Sequence, residues 1–293
     1  PMSLYESMES NGSVSLKALF DGETEIDNFS TLTIEQIAFA IVRGGWPASI
    51  GESEKIALRH AIDYVEAIIN ADVSRVDGIE KNPVRVRALL RSLSRNISTL
   101  ATIRTIHDDI AMGDADESIS EKTISQYLGA LDRIFVTENL PAWNPALRSK
   151  TAIRTSPKRQ FVDPSIAAAV MRLTPSRLLE DFNYFGFLFE SLCDRDLRIY
   201  AEAIDGQVFH YRDGSGLEAD AVIALNDGRW AAVEVKLGSK EIEDAAVHLL
   251  ELKNKVNTEK MREPSFLMIL TGTEIAYRRE DGVYVVPLGC LKD

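Results

Sequence analysis

Hydrophobic positions along this chain follow two rhythms. Up to about residue 204 the apolar residues recur every three or four positions, the spacing that lines one face of a helix. In 53–70, for example, Ile56, Ala57, His60, Ala61, Tyr64, Val65, Ile68 and Ile69 fall on one stripe. Ser30-Thr31-Leu32-Thr33 reads as a cap before a helix over 34–42, and Gly44-Gly45-Trp46-Pro47 breaks it. Asn82 followed by Pro83 predicts the start of a helix over 83–97, because a proline at the first helical position gives up a donor that has no partner there anyway. From 206 onward the period shortens to two. The expected order is a helix over 182–204, strands over 206–212, 217–225 and 229–237, a helix over 240–256 and a strand over 265–271. The first thirty residues read as irregular apart from a short helix near Leu16–Phe20.

Residues 100–160 predict a winged-helix-like unit. A helix over 100–112 is followed by an acidic loop and then by Ser120, a good N-cap. Ile124, Leu128, Leu131 and Ile134 supply the buried stripe of the next helix, and 134–137 and 159–162 can pair as wing strands. In modules of this kind the second helix enters the major groove, and here it would expose Lys122, Ser125, Gln126 and Gly129. A three-helix unit with a hairpin also serves as a purely protein-packing module.

The candidate chemistry lies in the hairpin. Alternation puts Glu218 and Asp220 on one face of the first strand, with Ala219, Ala221 and Ile223 on the other. On the next strand Glu234 and Lys236 share a face opposite Val233, Val235 and Leu237. Asn226-Asp227-Gly228 is a turn signal. A three-residue loop there sets Leu225 against Arg229, Asp220 against Glu234 and Glu218 against Lys236. A slip of one residue would set an apolar residue against each charge. Facing carboxylates repel, and a divalent cation between them removes that cost. The same residues could instead form an exposed polar face, with Glu218 and Lys236 as a cross-strand ion pair worth well under ~1 kcal/mol.

This hairpin resembles the PD-(D/E)XK nuclease superfamily, in which an Asp on one strand and an E-x-K on the next hold Mg²⁺. Asp220 and Glu234-Val235-Lys236 match those positions, and Glu190 sits where a preceding helix supplies a further Glu. The expected order of elements, αβββαβ, is also that of the superfamily. The resemblance implies Asp220, Glu234 and the Val235 carbonyl as metal ligands, with Glu190, Asp220, Glu234 and Lys236 as the catalytic set. Over nearly the whole chain the motifs Gly44–Pro47, Ser156–Asp163, Phe189–Leu192, Tyr211–Asp213 through Asp220, and Glu234–Lys236 resemble the prokaryotic AAA-type ATP-binding proteins with a C-terminal domain of unknown function. That family carries an ATPase domain, yet no G-x-x-x-x-G-K-S/T phosphate loop occurs in this sequence. The expectation is therefore the C-terminal part of a longer ATPase, or a truncated product, with ATP bound only through the domain not represented here. The fold class expected is mixed α/β: 1–30 a remnant or linker, 31–160 a helical region with the winged-helix-like module, and 161–293 the nuclease-like domain. The function expected is Mg²⁺-dependent cleavage of DNA. The alternative is a non-catalytic module that binds DNA or a partner protein, including the ATPase domain itself.

Charge modifies this picture. The net charge of −12 excludes wholesale coating of nucleic acid. Lys81–Arg104 and Asn139–Val162 are nevertheless acid-free basic stretches. Arg87, Arg91 and Arg95 form an i, i+4 stripe that is the better phosphate candidate, with Lys122, Lys158 and Arg159 as further nucleic-acid contacts; a solvated helix face accounts for the stripe equally well. The recognition helix is poor in cations, which disfavours a standalone transcriptional regulator. Two cysteines, Cys193 and Cys290, imply no disulfide framework, and the four scattered histidines no zinc site. No apolar run reaches ~20 residues and no signal peptide is visible, so the cytoplasm is the expected compartment and no membrane partner is expected.

Overall fold

The structure is a computed structural model that describes residues 1–75, 81–113, 119–144, 156–256 and 261–293. The chain is mixed α/β, with a helical N-terminal region and a C-terminal sheet domain. In chain order the helices are α1 Leu16–Phe20, α2 Ile34–Arg43, α3 Glu54–Ala67, α4 Val73–Arg75, α5 Pro83–Arg95, α6 Ile103–Gly113, α7 Glu121–Arg133, α8 Pro164–Val170, α9 Pro175–Leu179, α10 Phe182–Ala203 and α11 Ile242–Lys255. The strands are β1 Val14–Ser15, β2 Asp27–Phe29, β3 Gly206–Arg212, β4 Glu218–Leu225, β5 Trp230–Lys236, β6 Leu267–Thr271, β7 Ile275–Arg278, β8 Tyr284–Pro287 and β9 Leu291–Lys292. Contacts divide the described residues into a helical unit within 38–139 and 156–191 and a sheet unit within 2–37, 140–144 and 192–293. Among the described residues no helix is long and apolar enough to cross a membrane.

In the helical unit the expected caps are in place. Asn82 Oδ1 accepts from the Val84 N–H at 2.9 Å, and Ser120 Oγ from the Thr123 N–H at 3.2 Å. The helix expected over 53–70 ends its regular part at Ala67 and widens into a π turn over Ile68–Asp72. The expected wing is reduced to one antiparallel bridge, Thr137 with Phe161, and two flanking backbone bonds, Glu138 N–H to Gln160 and Val162 N–H to Val136. Two distant motifs are tied together beside α3. Asp163, fully buried, caps α8 by accepting from the Ser165 N–H at 2.9 Å, and its other oxygen accepts from the Gly45 N–H at 2.9 Å. The Trp46 indole N–H donates to Ser165 Oγ at 2.9 Å, and its ring lies 4.6 Å from that of Tyr64. Gly44 has φ +79°, and a Cβ there would collide with the Ser165 hydroxyl.

In the sheet unit β2-β7-β8-β6-β5-β4-β3 form a seven-stranded sheet among the described residues. β3, β4 and β5 are antiparallel neighbours, and β5-β6-β8 run parallel. From α10 to β6 the order is αβββαβ, as expected. One face buries Val222, Trp230, Ala232, Leu267, Ile269, Val283 and Val285 with Ile242, Ala245, Ala246, Leu249 and Leu252 of α11.

Two expectations about organisation are corrected. The first thirty residues, expected as a remnant or linker, are built into the sheet unit. Leu4, Val14, Leu16, Leu19 and Phe20 are buried, β1 pairs with β9, β2 extends the sheet, and the Leu4 N–H reaches Asp196 Oδ2 at 3.0 Å. Pieces of two or three residues are too short to show a period. The boundary also differs from the expected 160/161: among the described residues, 156–191 group with the helices, and 140–144 with the sheet. Asp163→Ala should destabilise the protein by about 2–3 kcal/mol in urea unfolding, since it removes an N-cap and leaves the buried Gly45 N–H without this acceptor. Unchanged stability would show that the tie contributes nothing.

Candidate functional site

The hairpin register is the one expected. Ala221 pairs with Val233 and Ala224 with Trp230, so that Asp220 stands beside Glu234. The face assignment expected for β4 is not. Phe209 of β3 pairs with Val222 whereas Tyr211 pairs with Ala219, so β4 spends two residues, Asp220 and Ala221, against His210 alone. This is a β-bulge, which switches the side on which successive side chains point. Leu217 and Ala219 thereby join Val222 in the core face. Glu218 is exposed and pairs with Arg212 at 2.9 Å, so the alternative Glu218–Lys236 pair does not form. The backbone of His210, opposite the bulge, bonds outward: its N–H to the Pro141 carbonyl at 3.0 Å, its carbonyl from the Trp143 N–H at 2.7 Å.

The bulge leaves Asp220 reaching across to β5. Its Oδ2 accepts from the Val235 N–H at 2.7 Å. Lys236 Nζ lies 2.7 Å from Glu234 Oε2 and 3.6 Å from Asp220 Oδ2. Asp220, Glu234, Val235 and Lys236 are thus brought together. Glu234 is 4% exposed. Burial pushes its carboxyl up to about 8; Asp220's charge pushes the same way, and Lys236 opposes both.

Glu190, the fourth candidate, groups with the helical unit. There it meets Lys158 Nζ at 2.5 Å, and the Lys158 side chain is only 7% exposed. Lys158, expected to touch nucleic acid, is therefore engaged in a largely buried ion pair. Arg159 is buried as well, its Nε–H donating to the Ala101 carbonyl at 2.9 Å, and desolvation lowers its pKa. The stripe on α5 is also partly committed. Arg87 holds Glu66 with two bonds of 2.9 Å, and Arg95 holds Asp109 at 2.7 Å. Arg91 and Lys122 are exposed, as expected. Arg148, Lys150 and Arg154 of the second basic stretch, and Asp114, Asp116 and Glu117 of the acidic loop, lie outside the described residues.

The sequence reading missed the Lys158–Glu190 pair, the bonding of the His210 backbone to Pro141 and Trp143, and an anchor in the loop before β4. There Asp213 accepts from the Ser215 N–H and hydroxyl at 2.8 and 2.6 Å, and its Oδ2 meets Lys255 Nζ at 2.5 Å. Those bonds outweigh the cost of desolvation and hold the Asp213 carboxyl well below the usual carboxylate range. Asp-Gly-Ser-Gly is a turn signal that could have located it.

Two domain descriptions match the chain. Residues 34–177 are similar to a domain of unknown function, DUF8612, and residues 185–291 to another, DUF4143. The second is often found in AAA-ATPase-associated proteins. No curated protein and no solved structure matches the chain significantly.

A raised carboxyl pKa sets a direction for stability. Above the unfolded value the denatured chain has already released the Glu234 proton while the folded protein still holds it. Glu234 therefore contributes no penalty at acid pH, and a growing one as pH rises from about 4.5 to about 8. Glu234→Gln should remove this component. In metal-free buffer, its melting temperature relative to wild type should climb across that window; parallel curves would mean that Glu234 titrates normally.

Proposed function

We propose that the sheet unit is a PD-(D/E)XK-type module that binds Mg²⁺ and cleaves phosphodiester bonds in DNA, and that it works as the C-terminal part of an AAA-type ATPase. The observation that carries this reading is the meeting of Asp220 and Glu234 at the bulge, with Lys236 2.7 Å from Glu234 and 3.6 Å from Asp220. The αβββαβ order supports the nuclease-like part of it, and the DUF4143 match bears on the ATPase context alone.

The donor set fits the ion. Asp220, Glu234 and the Val235 carbonyl offer hard oxygens, and Mg²⁺ characteristically takes one or two carboxylates, completing its shell with water and phosphate. Among the described residues no group of three His, Cys, Asp or Glu could hold a metal, so an all-protein cage is not what this site offers. When bound, Mg²⁺ would supply an acidified water and charge neutralisation at phosphorus. Asp220, fixed by the Val235 N–H, holds its carboxylate toward β5. Glu234 must release its proton to serve as a charged ligand, so affinity rises with pH. Lys236 orients the attacking water or stabilises the phosphorane oxygens. Glu190 enters through the resemblance alone. Duplex contact falls first to Arg91 and Lys122, since Arg87 and Arg95 would have to leave their carboxylate partners to bind phosphate.

A second reading has its own observation. Lys236 Nζ already lies 2.7 Å from Glu234 and 3.6 Å from Asp220, and burial favours the neutral form of Glu234, so the cluster is largely self-contained. That suits a non-catalytic module binding DNA or a protein partner.

The two readings separate in one set of measurements. Cleavage of single-stranded, branched or duplex DNA should require Mg²⁺ or Mn²⁺ and fail in Ca²⁺. Lys236→Ala should abolish cleavage and keep the Mg²⁺-induced rise in melting temperature. Asp220→Asn should lose that rise, while stabilising the protein in EDTA by up to about 1 kcal/mol above about pH 8, where Glu234 is also charged and the two carboxylates repel. No cleavage, together with identical melts of wild type and Asp220→Asn in EDTA and in Mg²⁺, would leave the non-catalytic module.

A further inference from the structure

The two edges of the sheet are treated differently. The β3 edge is covered by the strip Pro141–Trp143, which bonds both backbone groups of His210. The β2 edge carries large apolar side chains in the open. Phe29 is 68% exposed, Ile275 60% and Tyr277 37%. They are neighbours on one face: Phe29 pairs with Ile275, and Asp27 with Tyr277. The Ser30 N–H donates to the Glu274 carbonyl at 2.7 Å, so Asn28 with Ala276 is the next hydrogen-bonded pair, and the backbone groups of Asp27 and Phe29 turn away from β7. The Phe29 carbonyl accepts the Asn11 side-chain amide at 2.9 Å. The Asp27 N–H and carbonyl and the Phe29 N–H face the edge.

Exposed edges are normally blunted by lysine, proline or a covering segment, because they template further strands. Here the apolar pair sits at the edge, and an acidic row of exposed Glu23, Glu25 and Asp27 leads into it, with Glu274 exposed beside Ile275. Arg278, the nearest cation along β7, lies 5.5 Å from the Tyr284 ring centre.

We propose that the Asp27–Phe29 edge is a docking strand for an extended segment of a partner protein in which apolar residues alternate with lysine or arginine. The backbone of such a segment would continue the ladder, its apolar side chains would cover Phe29, Ile275 and Tyr277, and its cations would meet the acidic row. A second copy of this chain fits less well, since each copy brings a net charge of −12.

The test is fluorescence anisotropy of a labelled octapeptide of alternating valine and lysine, titrated with the full chain. Saturable, salt-sensitive binding is expected. The double variant Phe29→Ser, Ile275→Ser should weaken it by about tenfold or more. The variant Glu25→Lys, Asp27→Lys should weaken it too, and should favour a peptide of alternating valine and glutamate. Absence of binding by wild type, equal binding by both variants, or equal binding of a peptide with proline at alternate positions would overturn the proposal. A concentration-dependent dimer of the chain alone, seen by sedimentation and dissolved by the serine variant, would overturn it in favour of self-association.

Discussion

One extra residue in β4 organises the sheet unit. Because Asp220 and Ala221 together face the single residue His210, the strand changes sides between Ala219 and Val222. Before the bulge Leu217 and Ala219 reach the core under α11; after it Val222 does so. The residue left at the switch is a carboxylate, whose nearest donor is the backbone of β5. An unbulged strand would have kept Glu218 and Asp220 on one face. The bulge instead sends Glu218 to Arg212 and Asp220 to Val235 and Lys236.

The consequence is electrostatic. Two carboxylates and one ammonium meet there, Glu234 buried and Asp220 and Lys236 partly exposed, so with both carboxylates ionised the cluster is one positive charge short of neutrality. A proton on Glu234 supplies it, in keeping with the upward push that burial and Asp220 give that carboxyl. The strand partner of the bulge pays no hydrogen-bonding penalty, because His210 bonds Pro141 and Trp143. That arrangement also covers one edge of the sheet, whereas the edge at β2 keeps Phe29 and Ile275 exposed.

Charge in the helical unit is mostly spent on structure. Arg87, Arg95, Lys158 and Arg159 are each bonded to a carboxylate or a carbonyl within the unit. A run of cations in a sequence gives the charge available to a surface, but pairing decides how much of it remains for a ligand. Asp163 illustrates the same economy, since one buried carboxylate caps α8 and secures Gly45.

The sequence by itself determined what depends on local spacing. It placed the helices with clear apolar stripes, the caps at Asn82 and Ser120, the αβββαβ order and the register of the Asp220–Glu234 hairpin, because each is written in residues close together in the chain. Tertiary structure decided the rest. The bulge at Asp220–Ala221 contains no glycine and leaves no mark in the pattern; it shows only in the pairing with β3, where His210 faces two residues while Leu217, Ala219 and Val222 still reach one core. The pairing of Lys158 with Glu190, the incorporation of the first thirty residues and the covering of His210 join residues far apart in sequence. No local period encodes such contacts, since their stability comes from desolvation and packing that arise only when the chain has folded.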